Sequence, residues 1–212
     1  MTDLSNHDIL GPPERPRVVV FVDGQNLYHH ARAAFEVTHP NYDVLALSRA
    51  ICSPRNWQLK AVRFYTGMPE KADDPVWHNF WAKKPLSLKR QGVHTFSRRL
   101  RYRDKAFEIN GAKHVIRIGE EKGIDVRLAL DCVSLALSGD YDVALIFSQD
   151  QDLSEVVDEI KKISHLQRRW IRVACAFPNS PTASNTRGIN GSDWIGIDRT
   201  LYESCIDPRD YR

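Results

Sequence analysis

Two short apolar runs that each end in aspartate constrain the fold of this chain most. The first run, residues 18–22, is followed by Asp23, and the second, residues 143–148, is followed by Asp150 and Asp152. Each run has the length of a buried strand and leads into a helical pattern, as in the strand-to-helix turns of an open α/β sheet. Ligands of such sheets bind beyond the carboxyl ends of the strands. Because clustered carboxylates repel one another and a bound cation relieves the repulsion, the pattern predicts a divalent-metal site.

The rest of the chain alternates between strand and helix patterns. Helices are predicted at 24–35, 43–52, 75–91, 124–137 and from 153 to 163, and strands at 58–66, 92–96, 114–118, 143–147, 171–177 and near Trp194. A polar and basic stretch to residue 110 and a polar loop at 178–192 interrupt them. This alternation predicts an α/β fold with a mostly parallel central sheet that is covered by helices on both faces.

Length and composition favour one domain. The chain has 212 residues, of which 42% are hydrophobic, enough for one well-packed core and rather short for two. Three prolines in residues 1–16 predict a flexible leader, followed by a single domain at 17–212 with a C-terminal extension from about 178. No signal-peptide pattern is apparent, and no apolar run approaches the roughly 20 residues that cross a bilayer. We therefore expect a cytoplasmic protein that does not span a membrane, and its four cysteines are expected to be reduced thiols. The oligomeric state, including a homo-oligomer, cannot be derived from the sequence.

Charge is strongly segregated along the chain. Residues 83–105 carry nine Lys or Arg against one acid, Asp104, whereas residues 120–160 carry eleven acids against Lys122 and Arg127. A phosphate-binding strip beside an acidic metal site is the charge distribution expected of a nuclease. The alternative is a solvated basic face.

Asp131 is a third informative acid, because it lies within an almost wholly apolar helical segment, residues 128–137. A buried carboxylate without a partner costs several kcal/mol. One explanation is a metal ion that Asp131 shares with Asp23 and Asp150. The other is a purely structural ion pair with Arg127, which lies one helical turn earlier.

At this point three segments resemble the motifs of a known family. They are residues 22–26 (VDGQN), residues 122–126 (KGIDV) together with Asp131, and residues 148–153 (SQDQDL). Their order and spacing resemble the NYN domain family, which belongs to the PIN-like group of metal-dependent ribonucleases, over roughly residues 17–177. The resemblance implies a PIN-like three-layer fold and RNA as the substrate. Its products would carry 5′-phosphate and 3′-hydroxyl ends.

The resemblance also implies roles for individual residues. Asp23, Asp131, Asp150 and Asp152 would hold Mg²⁺ or Mn²⁺, with Asn26 supporting the metal or substrate and with Asp125 and Ser148 nearby. Hard oxygen ligands suit these ions. The family often has glycine where this chain has Gln149 and Gln151. Both acids beside them are kept, but the two glutamines could narrow the site or contact a nucleotide.

Candidate nucleic-acid contacts come mainly from the basic strip. Four arginines interleave with Leu100 and Tyr102, which places guanidinium groups along a groove with a ring for base stacking. The predicted contacts are Arg98, Arg99, Arg101, Tyr102, Arg103, Lys122 and Arg187, the last in the polar loop after a strand. An exposed basic edge strand is the alternative for the arginine run.

The sequence therefore predicts a metal-dependent ribonuclease, with two rivals. A phosphohydrolase of the haloacid dehalogenase type also begins with an apolar strand that ends in Asp, but it expects a second Asp where this chain has Gln25. A non-catalytic RNA-binding or regulatory module would keep the acids for folding. Helix capping also explains one acid at each turn, Asp23 at the first and Asp150 or Asp152 at the second, but it does not explain Asp131.

Overall fold

The computed structural model describes residues 10–72, 75–109, 112–181, 183 and 185–211. In these residues the elements run in the order β1 (Arg17–Asp23), α1 (Gly24–Phe35), α2 (Val44–Cys52), β2 (Gln58–Met68), α3 (Pro75–Arg90), β3 (His94–Arg99), β4 (Arg101–Ile109), β5 (Ala112–Glu120), α4 (Ile124–Leu137), β6 (Val143–Phe147), α5 (Ser154–Leu166), β7 (Arg172–Pro178), β8 (Asp193–Ile197) and α6 (Arg199–Ser204). Short 3-10 helices lie at Ser53–Arg55 and Gln151–Leu153.

Six strands form one sheet in the order β3, β2, β1, β6, β7, β8. Each neighbouring pair is parallel, so the carboxyl ends of all six strands lie along one edge. The central strands β1 and β6 are direct neighbours, with Val22 opposite Phe147. This register brings Asp23 to the same edge as the residues that follow β6.

Helices cover both faces of the sheet. Along β1, Val18, Val20 and Val22 belong to one core cluster, which includes residues of α1, α2 and α3. Val19 and Phe21 belong to a second cluster with residues of α4 and α5. Successive side chains of a strand point to opposite faces, so a strand that is apolar at every position is buried on both sides. The predicted three-layer α/β architecture is confirmed.

The largest departure from the predicted elements lies between β3 and α4. The sequence indicated an irregular basic stretch to residue 110 and a short strand at 114–118, but β4 and β5 form a long antiparallel hairpin outside the main sheet. Its register pairs Arg101 with Glu120 and Phe107 with His114. None of the hairpin side chains that the structure describes is buried, so the segment lacks the apolar and polar alternation that signals a strand. β3 also begins later than predicted, at His94, because the chain first turns at Gly92, whose φ is 84°.

The predicted leader is described only in part, because residues 1–9 lie outside the described residues. Of the rest, the Leu10 amide donates to the Arg168 carbonyl at 3.4 Å, and the Pro16 carbonyl accepts from the Gln58 amide at 2.8 Å. Among the described helices, none combines the length and apolar character that crossing a membrane would require.

Candidate functional site

Asp23 lies at the carboxyl end of β1 and is almost fully buried. Its Oδ1 accepts a 3.0 Å hydrogen bond from the Asn26 amide, which caps α1, and its Oδ2 lies 3.5 Å from the Ser148 hydroxyl. The pKa of Asp23 is raised to about 6, mainly by burial and also by the negative charges of Asp150 and Asp125, against the lowering effect of the Asn26 hydrogen bond. Asp23 is therefore a carboxylate whose charge is poorly compensated within the protein.

Asp150 follows β6 and caps the next helical segment. Its Oδ1 accepts a 3.0 Å hydrogen bond from the amide of Asp152. The capping roles that the sequence allowed for Asp23 and Asp150 are therefore both present. Capping occupies Oδ1 of each aspartate, however, and it does not account for the mutual repulsion that contributes to the raised pKa of Asp23. Asp152 itself is exposed on the same turn.

Glu121 interacts electrostatically with Asp23 and Asp125, and together with Asp150 these residues form the acidic cluster. The sequence did not predict Glu121 as a member. It follows β5, and its Oε1 accepts a short hydrogen bond from the amide of Gly67 at the end of β2. A Cβ at Gly67 would lie 2.5 Å from that oxygen, so only glycine permits the approach. Burial raises the pKa of Glu121 to about 7, and Asp23 and Asp125 add to the rise. No local pattern distinguishes Glu121 from its neighbour Glu120.

Asn26 and Asp125 lie on helices that border the cluster. The side-chain oxygen of Asn26 accepts a 2.9 Å hydrogen bond from the Gln149 amide, which ties α1 to the turn after β6. Asp125 is exposed in the first turn of α4, and its charge reaches both Asp23 and Glu121. The Ser148 Oγ accepts a 3.2 Å hydrogen bond from the Asp150 amide.

Asp131 is engaged in a different set of contacts. Its Oδ2 accepts hydrogen bonds from Tyr65 at 2.7 Å and Arg63 at 2.9 Å, and its Oδ1 pairs with Arg127 at 2.8 Å. Burial would raise its pKa, but hydrogen bonds from Tyr65 and Arg63 and the charges of both arginines hold the pKa below its usual value. The ion pair with Arg127 that the sequence offered as an alternative is thus present. The metal role of Asp131 stays a prediction.

Gln149 and Gln151 hold the polar loop at 185–190 against the turn that carries Asp150 and Asp152. The side-chain amide of Gln149 donates to the carbonyls of Asn185 at 3.2 Å and Arg187 at 2.8 Å. That of Gln151 donates to the Gly188 carbonyl at 2.9 Å, while its oxygen accepts from the Asn190 amide at 3.2 Å. The glutamines at the positions where the family often has glycine therefore fix this loop beside Asp150.

The donor chemistry at this edge of the sheet fits a hard divalent cation. Within the described ranges, no three side chains of His, Cys, Asp or Glu stand close enough to form a complete metal cage. Mg²⁺ commonly binds one or two protein carboxylates and completes its octahedron with water and substrate phosphates. Asp23 and Asp150 supply such carboxylates, and their repulsion is what a cation would relieve.

The predicted nucleic-acid residues fall into three places. Arg98 and Arg99 end the edge strand β3, where the Arg98 guanidinium lies beside Gly123. Arg101, Tyr102 and Arg103 lie in the hairpin, where the Tyr102 hydroxyl accepts from the Glu70 amide at 2.8 Å. The remaining two are Lys122, 3.7 Å from Glu120, and Arg187, exposed in the loop beside Gln149.

The six-stranded parallel sheet, covered by helices on both faces, is consistent with a PIN-like fold. The model of the NYN domain matches residues 17–183. The chain therefore belongs to the NYN domain family, a family of nucleases. The match ends before β8 and α6, so the last strand of the sheet lies beyond it.

One solved structure supports the fold. A protein of unknown function from Vibrio parahaemolyticus matches with a TM-score of 0.54 and 18% identity, over 90% of this chain and 98% of that one. MurG from Acinetobacter baumannii matches with a TM-score of 0.34 and 11% identity, over 85% of this chain and 45% of that one, which is too distant to support any argument. No curated protein matches the chain.

Proposed function

We propose that this protein is a ribonuclease that hydrolyses RNA phosphodiester bonds with the help of Mg²⁺ or Mn²⁺. The observation that supports it best is the pair Asp23 and Asp150, which lie at or just beyond the carboxyl ends of adjacent strands, where burial and the charge of Asp150 raise the pKa of Asp23. Membership of the NYN domain family supports nucleic acid as the class of substrate. The free state of all four cysteines favours a reducing compartment such as the cytoplasm.

In this proposal Asp23 and Asp150 hold the metal, and Glu121 and Asp125 add negative charge around it. A bound cation would activate water and neutralise charge that develops on the phosphate. Asp152, exposed next to Asp150, would orient the attacking water by accepting a hydrogen bond from it. The Asn26 oxygen is held by the Gln149 amide, which leaves the Asn26 side-chain nitrogen to donate to a phosphate oxygen.

We assign Asp131 a positioning role in place of metal binding. Its two oxygens already accept from Tyr65, Arg63 and Arg127. These contacts join α4 to β2, the strand whose end carries Gly67 and, through it, Glu121. Asp131 therefore fixes the helix that carries Asp125 relative to the rest of the acidic cluster.

Hydrogen bonds of Gln25, Asp23 and Asp150 bear on the two rival functions. A haloacid-dehalogenase-like phosphohydrolase needs a second acid at position 25, but the Gln25 side-chain amide donates to the Gly67 carbonyl at 3.1 Å. That contact gives position 25 a structural role and argues against this enzyme class. A non-catalytic RNA-binding module is favoured by the capping hydrogen bonds of Asp23 and Asp150, which would preserve both acids without catalysis.

A cleavage assay separates these functions. End-labelled single-stranded RNA should be cut in Mg²⁺ or Mn²⁺ and left intact in EDTA, and Asp23→Asn and Asp150→Asn should each abolish cutting while circular dichroism shows an unchanged fold. Asp158→Asn removes an exposed acid from α5 and serves as the matched control. Undiminished cutting in EDTA or in either site variant contradicts the metal mechanism. RNA binding without cutting by the wild-type protein supports the non-catalytic module. A parallel assay with DNA of the same sequence measures substrate preference.

A further inference from the structure

The hairpin of β4 and β5 is an arm that stands apart from the main sheet. Its strands pair only with each other among the described strands. At its root, the Leu100 amide donates to the Met68 carbonyl at 3.0 Å, Tyr102 accepts from the Glu70 amide, and Arg117 pairs with Glu70 at 3.2 Å. The root thus attaches just beyond the carboxyl end of β2. Because β5 is followed by Glu121, the arm begins beside the acidic cluster.

The two faces of the arm differ in charge. Residues that lie opposite one another in an antiparallel pair share a face. The register therefore defines a basic face, which consists of Arg101, Arg103, Lys105, Phe107, His114, Ile116, Ile118 and Glu120. The opposite face carries Tyr102, Asp104, Ala106, Glu108, Lys113, Val115, Arg117 and Gly119, in which acids and bases balance. Tyr102 and Arg117 make the root contacts, so the opposite face is the one that turns toward the domain there.

Among the described residues, the basic face carries three Lys or Arg side chains and a single acid. Glu120 is its one acid, and it is approached at 3.6 Å by Arg103, at 3.6 Å by Lys105 and at 3.7 Å by Lys122. The Arg103 and Lys105 side chains remain 62% and 60% exposed. Exposed ion pairs of this length add little stability. Surplus exposed cations along a strand are complementary to a chain of phosphates.

The same face carries an aromatic pair. The rings of Phe107 and His114 are stacked, with centroids 5.8 Å apart and planes 19° from parallel, and Phe107 is 37% exposed. Ile116 extends the exposed apolar surface. From Arg101 the strand reaches Phe107 in six steps of about 3.4 Å, so the rings lie roughly 20 Å from the root. A stacked ring pair beyond a row of cations has the form of a platform for an unpaired base.

We propose that the basic face of the arm binds single-stranded RNA whose scissile bond lies at the acidic cluster. Arg101, Arg103 and Lys105 contact phosphates, and Phe107 with His114 stacks an unpaired base. A second copy of this chain is a poorer occupant, because a symmetric contact through this face would set its cations against themselves. The inference rests on RNA as the substrate of the proposed function, but it does not require that the bound RNA be cut.

Binding is measured by fluorescence anisotropy with labelled oligouridine in EDTA, which separates binding from cleavage. Phe107→Ala with His114→Ala should weaken binding at least about fivefold, the lower end of a lost base stack. The matched control is Val115→Ala, which removes an apolar side chain that is 64% exposed on the opposite face. Lys105→Ala should lower the slope of log affinity against log salt by about 0.7, whereas Lys113→Ala on the opposite face should leave it unchanged.

The outcomes distinguish this inference from the proposed function. Face-specific loss of binding by a protein that does not cut RNA would support the arm and contradict the nuclease. Normal cutting by a protein whose basic-face variants bind like wild type would support the nuclease and overturn the arm, as would equal losses from the two faces. Sedimentation of a wild-type dimer that Phe107→Ala converts to monomer would also overturn it, because the face would then be a subunit interface.

Discussion

The Gln149 amide donates a 2.9 Å hydrogen bond to the side-chain oxygen of Asn26, 123 residues earlier in the chain. The bond joins the first helix to the turn that carries Asp150, so the two strand-to-helix turns are fastened to each other as well as to their strands. The carboxylates of Asp23 and Asp150 are therefore held near one another without any metal. Four predictions follow from this and the neighbouring contacts.

Asp131→Asn should lower the free energy of unfolding by about 1–3 kcal/mol, because it removes the charge that Arg63 and Arg127 share. Denaturant unfolding in EDTA measures this. Asp158→Asn breaks an exposed pair with Lys161 and should cost less than about 1 kcal/mol. If Asp131 is a positioning residue, its variant responds to Mn²⁺ as wild type does. If the variant no longer responds to Mn²⁺, or if its stability in EDTA equals that of wild type, Asp131 is a metal ligand and not a positioning residue.

Mn²⁺ should raise the melting temperature of the wild-type protein, because the unfolded chain has no assembled site. At a free metal concentration of 100 times Kd the gain is about 2.7 kcal/mol. Asp150→Asn should remove most of this gain, since it deletes one of the two proposed carboxylate ligands. The melting temperatures of wild type and Asp150→Asn, measured in Ca²⁺-free buffer at increasing Mn²⁺ concentrations, test this prediction. A wild-type melting temperature that is independent of Mn²⁺ would count against a metal site.

Lys84 predicts a pH dependence of stability. It is buried in α3, and its Nζ donates to the Asn41 side chain at 2.8 Å and the Tyr42 carbonyl at 2.7 Å. Burial lowers the pKa of Lys84 to about 7 from an ordinary 10.5, although Asp207 and Asp43 favour its charged form. Between these two values the unfolded chain binds one more proton than the folded chain, so this contribution to stability rises with pH.

The measurement is the unfolding free energy of wild type and Lys84→Met between pH 7 and pH 9.5. Lys84 should contribute a slope of about 1.4 kcal/mol per pH unit, which the variant lacks. Lys89→Met removes an exposed lysine from the same helix and should keep the wild-type slope. Parallel pH profiles for wild type and Lys84→Met would show that the buried amine stays charged when the protein is folded.

Gln151→Ala should loosen the loop at 185–190, because it removes the hydrogen bonds to Gly188 and Asn190. Each such bond contributes about 1 kcal/mol. Amide hydrogen exchange should therefore speed up in this loop by about tenfold or more and remain unchanged in β6. Gln91→Ala, which removes a local exposed contact with Ser87, is the control. Unchanged exchange at 185–190 would show that the loop is held by other contacts.

The sequence predicted the sheet and its two acidic turns because strand length, apolar content and the acid that follows are local features. Helix α4 was predicted with its observed bounds for the same reason. Arg127, one helical turn before Asp131, could be offered as its partner from local spacing. Arg63 and Tyr65 could not, since they are 68 and 66 residues distant and come from a strand. Glu121 joined the cluster only through the close approach at Gly67, which depends on how β2 and the arm meet.

The loop at 185–190 meets Gln149 and Gln151 mainly through main-chain carbonyls, those of Asn185, Arg187 and Gly188. A main-chain bond survives most side-chain replacements. Side chains within the loop at 185–190 can therefore change in sequence while the loop keeps its position. If the loop contacts the substrate of the proposed function through its side chains, substrate preference would change there without disturbing the aspartates.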